Sequence, residues 1–211
     1  MTSVTIVRGE EELFARTAHL FATASEITCA ARDLNTWATT RPAPDSPVHD
    51  TMPRVRKLYQ PGTLLNPSMA QHVRTVAASP GAAVRITRDE INETIIIDRR
   101  FAILAGDLAD GRRSYGVVTE AAVVQNVLSL FDAAWRAAAD LAAYDARHAD
   151  LTTLAPRVLE LLASGCKDET AARTLGLGVR TYRRRVAELM SALGAESRFQ
   201  AGVRARELGL I

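Results

Sequence analysis

Cysteine is nearly missing from this 211-residue chain, and the two present, Cys29 and Cys166, stand far apart in no metal-ligand spacing. That argues against a disulfide framework and a zinc site, and it fits a reducing compartment. Long apolar runs are missing too. The richest, Val123 to Leu130, is interrupted by Gln125 and Asn126 and falls short of a bilayer span. Met1 to Glu12 reaches charge too early for a secretory signal and has no apolar core segment. These absences predict a cytoplasmic protein with no membrane partner. Glycine-rich phosphate loops are absent, since Gly62, Gly81, Gly106 and Gly111 are isolated. The four histidines, His19, His49, His72 and His148, sit in no metal spacing and beside no nucleophile motif. The expectation is therefore no catalytic residue, no cofactor and no metal: not an enzyme. Lysine occurs only at 57 and 167, so nearly every cation is arginine.

What is present is an ordinary globular composition, 47% hydrophobic and 24% charged, in a chain long enough for one large domain or two smaller ones. The net charge of +2 is unevenly placed. Residues 151–211 hold ten Lys and Arg against six Asp and Glu, a net of +4, which leaves −2 for residues 1–150. A polyanion would be drawn to the carboxyl-terminal end.

Apolar spacing predicts an amphipathic helix over 10–25 through Leu13, Phe14, Ala18, Leu20 and Phe21. Short apolar runs predict strands at Glu26–Ala31, Val55–Tyr59, Ala83–Thr87, Glu93–Asp98, Phe101–Ala105 and Ser114–Val118; the β-branched Ile95, Ile96 and Ile97 make the fourth the clearest. Residues 39–53, with Pro42, Pro44, Pro47 and Pro53, read as a loop. Asn66-Pro67-Ser68 reads as a helix start running to about Ala78. An alanine-rich helix is predicted from Thr119 to about Arg147, as a core element or a dimer seam. The polar stretch Asp145–Asp150 is the expected boundary, giving an α/β domain over 1–147 and an all-α four-helix domain over 148–211.

In the second part, Thr152 or Thr153 is placed to cap a helix through Val158, Leu159, Leu161 and Leu162 that ends at Gly165, and Asp168 to cap a second helix ending near Gly176. A third helix, about Val179 to Leu193, has inward positions Tyr182, Val186, Leu189 and Leu193. That spacing leaves Arg180, Arg183, Arg184 and Ala187 outside. Ser197 is placed to cap a fourth helix with Phe199, Val203 and Leu208 available for packing. A short helix, a tight turn and a basic helix fit the major groove of DNA. Arginine binds guanine edges through two parallel hydrogen bonds or clamps a phosphate, and a small residue permits close approach.

Leu151-Thr152, Val158 through Gly165, Glu169, Ala172, Leu175-Gly176, Arg180-Thr181, Val186, Leu193-Gly194, Ser197-Arg198 and Ala201 follow one another in the order and intervals of a known domain. Residues 151–211 resemble the LuxR/NarL/FixJ type of helix-turn-helix domain. The resemblance implies a transcriptional regulator whose third helix reads double-stranded DNA, with Arg183, Arg184 and Ala187 toward the bases, and whose fourth helix, 197–208, forms a homodimer contact on DNA. The candidate DNA-contacting set is Lys167, Arg180, Thr181, Arg183, Arg184, Arg185 and Ala187. Departures from the family pattern stand at Ala155, Gly178, Tyr182 and Arg185; Gly178 removes a serine cap, and Tyr182 needs core space and a hydroxyl partner.

The stretch from Ile91 to Gly106, with the strand–helix–strand before it, resembles one half of the phospholipase D-like fold. The family's His-x-Lys-x-x-x-x-Asp motif would put its nucleophilic histidine at Ile91 and its lysine at Glu93, ahead of Asp98. Isoleucine is no nucleophile and glutamate repels phosphate, so the resemblance implies a degenerate domain serving effector sensing or dimerisation. A small-molecule or protein effector is the corresponding partner, with Arg54, Arg56 or Arg85 near its pocket or else paired with carboxylates on the surface. A phospholipase D-fold enzyme with a nucleic-acid tether, and an adaptor whose basic tail meets acidic proteins, are the competing readings.

Overall fold

The computed structural model describes residues 3–31, 53–109 and 111–211. The expected proline loop and His49 lie outside the described residues, apart from Pro53. The chain forms two compact units, 1–59 with 75–138, and 60–74 with 139–211.

The first unit is mixed α/β. Its strands are β1 (Val4–Arg8), β2 (Glu26–Ala31), β3 (Arg54–Tyr59), β4 (Ala82–Ile86), β5 (Thr94–Ile97), β6 (Phe101–Ala109) and β7 (Arg112–Val118). Their order across the sheet is β1-β7-β6-β5-β2-β3-β4. The pairs β2–β3 and β3–β4 are parallel, and the others are antiparallel. Side chains alternate between the two faces of a strand, and both faces here are covered. Ile95 and Ile97 join Val7, Ile103, Tyr115 and Leu13 of helix α1 (Glu10–Ala22). Ile96 joins Ala30, Leu58 and Ala102 under Val124, Leu128 and Phe131 of helix α3 (Ala121–Ala137).

Helix α2 (Pro67–Ala78) starts as expected, with Pro67 at its first position and the Asn66 carboxamide accepting from the Ser68 and Met69 amides. The turn between β5 and β6 is held by Asp98, whose carboxylate accepts from Ser25 N, Ser25 Oγ and Glu26 N at 2.8, 2.8 and 2.9 Å. Burial opposes its charge, but these bonds outweigh it and hold the carboxyl below its ordinary pKa.

The helix expected over 119–147 is in fact two helices. Ala138 closes α3 in an extended conformation (ψ 146°), and Asp140 caps α4 (Leu141–Ala163) by accepting from Ala142 N. No glycine or proline marks the break, and alanine on both sides hides it; the one local signal is Asp140 before Leu141. Helix α4 runs through 145–150, so the expected division at 147/148 falls inside it. Thr152 and Thr153 are interior rather than capping, their hydroxyls donating to the carbonyls of His148 and Ala149. Strand β1 lies outside the strands that the sequence pattern predicts.

The second unit is built on α4, α5 (Asp168–Thr174), α6 (Val179–Ala192) and α7 (Arg198–Glu207). Its core gathers Leu151, Ala155, Val158 and Leu159 of α4 with Ala171, Ala172, Tyr182, Val186, Leu189, Ala201 and Ala205. Leu65, from a 3₁₀ turn at Pro61–Leu65, is buried in the same core. Asn66 Nδ2 donates to the Leu208 carbonyl at 3.2 Å, which ties that segment to the end of α7.

Candidate nucleic-acid interface

Helices α5 and α6 are joined by four residues, Leu175-Gly176-Leu177-Gly178. Gly176 takes φ +66°, which lets Leu177 N reach the Ala172 carbonyl at 2.8 Å and turn the chain sharply. Gly178 occupies the α6 cap with no side-chain hydrogen bond. Asp168 does not cap α5; Lys167 holds that position, with no side-chain bond. Asp168 is occupied elsewhere. Its side chain is only 13% exposed and meets Arg183 at 2.8 Å and Arg198 at 2.9 Å. Hydrogen bonding from Arg183, aided by Arg198, holds the Asp168 carboxyl below the usual carboxylate range despite its burial. Arg198 is 30 residues from Asp168, and no local pattern announces the contact.

Along α6 the two faces separate cleanly. Tyr182, Val186, Leu189 and Ala192 are buried, followed by Leu193 just past the helix. Burying each large apolar side chain contributes about 1.5–3 kcal/mol, which fixes the roll of the helix about its axis. Arg180, Arg183, Arg184 and Ala187 are exposed, and Thr181 is half-buried. Positions 180, 184 and 187 fall on one stripe at helical spacing. Arg180 makes no ion pair or side-chain hydrogen bond with the described residues. Arg184 lies 3.7 Å from Glu188 in an exposed pair. Arg183 also approaches Glu169, at 3.4 Å.

Arg185 points elsewhere. Its side chain is 16% exposed, and its guanidinium meets Asp150 of α4 at 2.6 Å and Glu188 at 2.9 Å. Lys167 is exposed at the start of α5. Thus the structure brings Arg180, Arg183, Arg184 and Ala187 onto the outer face and sets Arg185 against α4. Tyr182 finds the core space it requires, but its hydroxyl has no hydrogen-bond partner among the described residues. Burial, with the Asp168 charge nearby, pushes its phenol up. On α7, Ser197 caps by accepting from Gln200 N, while Phe199 and Val203 stand exposed.

In the first unit, Ile91 is partly buried against the α3-side core, and Glu93 is 6% exposed with Arg113 at 2.7 Å. Arg56 meets Asp132 at 2.8 Å and Glu26 at 3.4 Å and lies over the Phe131 and Trp135 rings. Arg85 donates to the Trp135 carbonyl at 2.7 Å, and Arg54 is exposed. No cluster of three His, Cys, Asp or Glu able to hold a metal occurs among the described residues, and no described helix is long and apolar enough to cross a membrane.

No family model matches the chain. A "Bialaphos biosynthetic pathway regulatory protein" of Streptomyces hygroscopicus is 33% identical over 132 residues, covering 62% of this chain and 52% of that one. The chain therefore spans about half the length of the curated relative it matches. Among solved structures, TrmBL2, described as an archaeal chromatin protein with a novel mode of DNA binding, aligns with TM-score 0.49 at 19% identity over 66% of this chain and 54% of its own. NucT from Helicobacter pylori aligns at 0.49 with 8% identity, covering 65% of this chain and 99% of its own. Nuc of Salmonella typhimurium, a phospholipase D family member, aligns at 0.48 with 12% identity, covering 65% and 97%.

Proposed function

We propose that the chain is a sequence-specific DNA-binding transcriptional regulator of the LuxR/NarL/FixJ type, with α5, the Gly176 turn and α6 as its helix-turn-helix. The observation that carries this reading is the two-sided α6. Tyr182, Val186 and Leu189 fix the helix, while Arg180, Arg184 and Ala187 line its open face. The regulatory name of the Streptomyces relative supports it. In this reading α6 enters the major groove, Arg183 and Arg184 reach base edges, Ala187 permits close approach, and Arg180, Thr181 and Lys167 meet phosphates. Arg185, clasped by Asp150 and Glu188, sets the helix against α4. The exposed Phe199 and Val203 suit a homodimer contact through α7 on a two-fold related site.

The first unit, as a phospholipase D-like half, senses an effector or supports dimerisation. It carries out no phosphodiester chemistry: Ile91 offers no nucleophile, and Glu93 is engaged by Arg113.

Selection of bound sites from random duplexes, followed by titration of variants, tests the assignment. Arg184→Ala is expected to cost about 1–3 kcal/mol of discrimination at one base pair per half-site. Arg183→Ala is expected to do the same, tempered by its release from Asp168. A uniform loss over all duplexes would mark these side chains as phosphate contacts, and no salt-dependent duplex binding at all would refute the reading.

A further inference from the structure

The first unit holds a cavity of about 420 Å³ between α1 and α2, floored by β2, β3 and β5. Phe14 and Phe21 form one wall, Val76 forms the other, and Ile27, Cys29 and Lys57 lie on the floor. The volume suits a small organic molecule. Strand alternation explains the chemistry of the floor. Arg56 and Lys57 are consecutive on β3 and so face opposite sides of the sheet. Arg56 is consumed by Asp132 and Glu26 on the α3 side. Lys57 faces the cavity, half-buried, and its ammonium has no ion pair or hydrogen bond among the described residues. Cys29 beside it stays protonated at neutral pH, its thiol pushed up to about 11 by burial. The acid whose charge also reaches Cys29, Glu93, is taken by Arg113 at 2.7 Å. A largely apolar pocket with one cation unpaired among the described residues is the complement of an apolar body bearing one anionic group, because an anion set against a half-buried ammonium is attracted more strongly than in open water.

We infer that this cavity binds a small amphipathic carboxylic acid, its hydrocarbon or ring against Phe14, Phe21 and Val76 and its carboxylate at the Lys57 ammonium. The inference deepens the regulatory reading by giving the first unit the chemical class of its effector, and it rests on that reading only for the ligand's biological role.

Calorimetric titration of the full chain with decanoate, below its micellar concentration, and with decan-1-ol tests it. Wild type is expected to bind decanoate at least about tenfold more tightly than the alcohol, the worth of one shielded ion pair. Lys57→Met is expected to remove that preference while changing alcohol binding less than about twofold, since only the charge is lost. Lys57→Gln provides the same comparison should the methionine variant fail to fold. Val76→Trp, which fills the cavity from its wall, is expected to abolish binding of both. Absence of decanoate binding, equal affinity for the two probes, or a preference that survives both lysine substitutions would overturn the inference. Duplex binding on the same preparation separates the two ideas: decanoate binding without duplex recognition removes the regulator and keeps the cavity, and the reverse keeps the regulator alone.

Discussion

Asp168 shows how one side chain organises the basic face. Two arginines from different helices converge on a carboxylate that is nearly covered. Its pKa is lower in the folded chain than in the unfolded one. The stabilisation is therefore present in full above the unfolded value, about 3.9, and is lost as pH falls through the folded value. Asp168→Asn is expected to lower the melting temperature at pH 7, with the gap to wild type closing below about pH 4. Thermal unfolding across that pH range checks it, and a gap independent of pH would show that the carboxylate's charge is immaterial. This residue also marks a limit of sequence reading. Asp168 stands where caps stand, but the pull of Arg183 and of Arg198, 30 positions away, wins over the local hydrogen bond.

At the scale of elements, residues with strong local constraints were legible. The four-three-four spacing of Tyr182, Val186, Leu189 and Leu193 foretold the buried stripe of α6, Ser197 foretold the cap of α7, and Ile95–Ile97 foretold β5. What escaped had weak local contrast. The break at Ala138 lies between two alanine-rich stretches, and in β1 only Val7 is buried, so its burial gives weak contrast beside that of β5. The turn before α6 depends on backbone handedness. Around Gly176 there is open space, so adding a methyl meets no atom, and the cost is that of φ +66° alone. Gly176→Ala is expected to destabilise by about 1 kcal/mol in urea unfolding. An unchanged midpoint would mean that the turn tolerates a right-handed path.

On the scale of the whole molecule, the sequence divided the chain by composition, and the structure divides it by contacts. Residues 60–74 belong with 139–211, so the chain passes between its two units three times. Leu65 is 2% exposed in the core built by α4 to α7. Leu65→Ala is expected to cost about 2–5 kcal/mol. The loss should appear as faster amide exchange in α4 and α6, although no residue of either helix is altered; an effect confined to β5 and β6 would place Leu65 with the other unit. Nothing local to Pro61–Leu65 predicts this, because its partners are about ninety or more positions away.

The detour through Leu65 governs how this tail is transplanted. A chimera made by cutting at 139 and joining the last helices to a foreign carrier would leave behind the peg that fills their base, together with the Asn66 clasp on Leu208. Such a graft needs residues 60–74 supplied alongside, as a linked or added peptide, before its helices can be judged on their own merits.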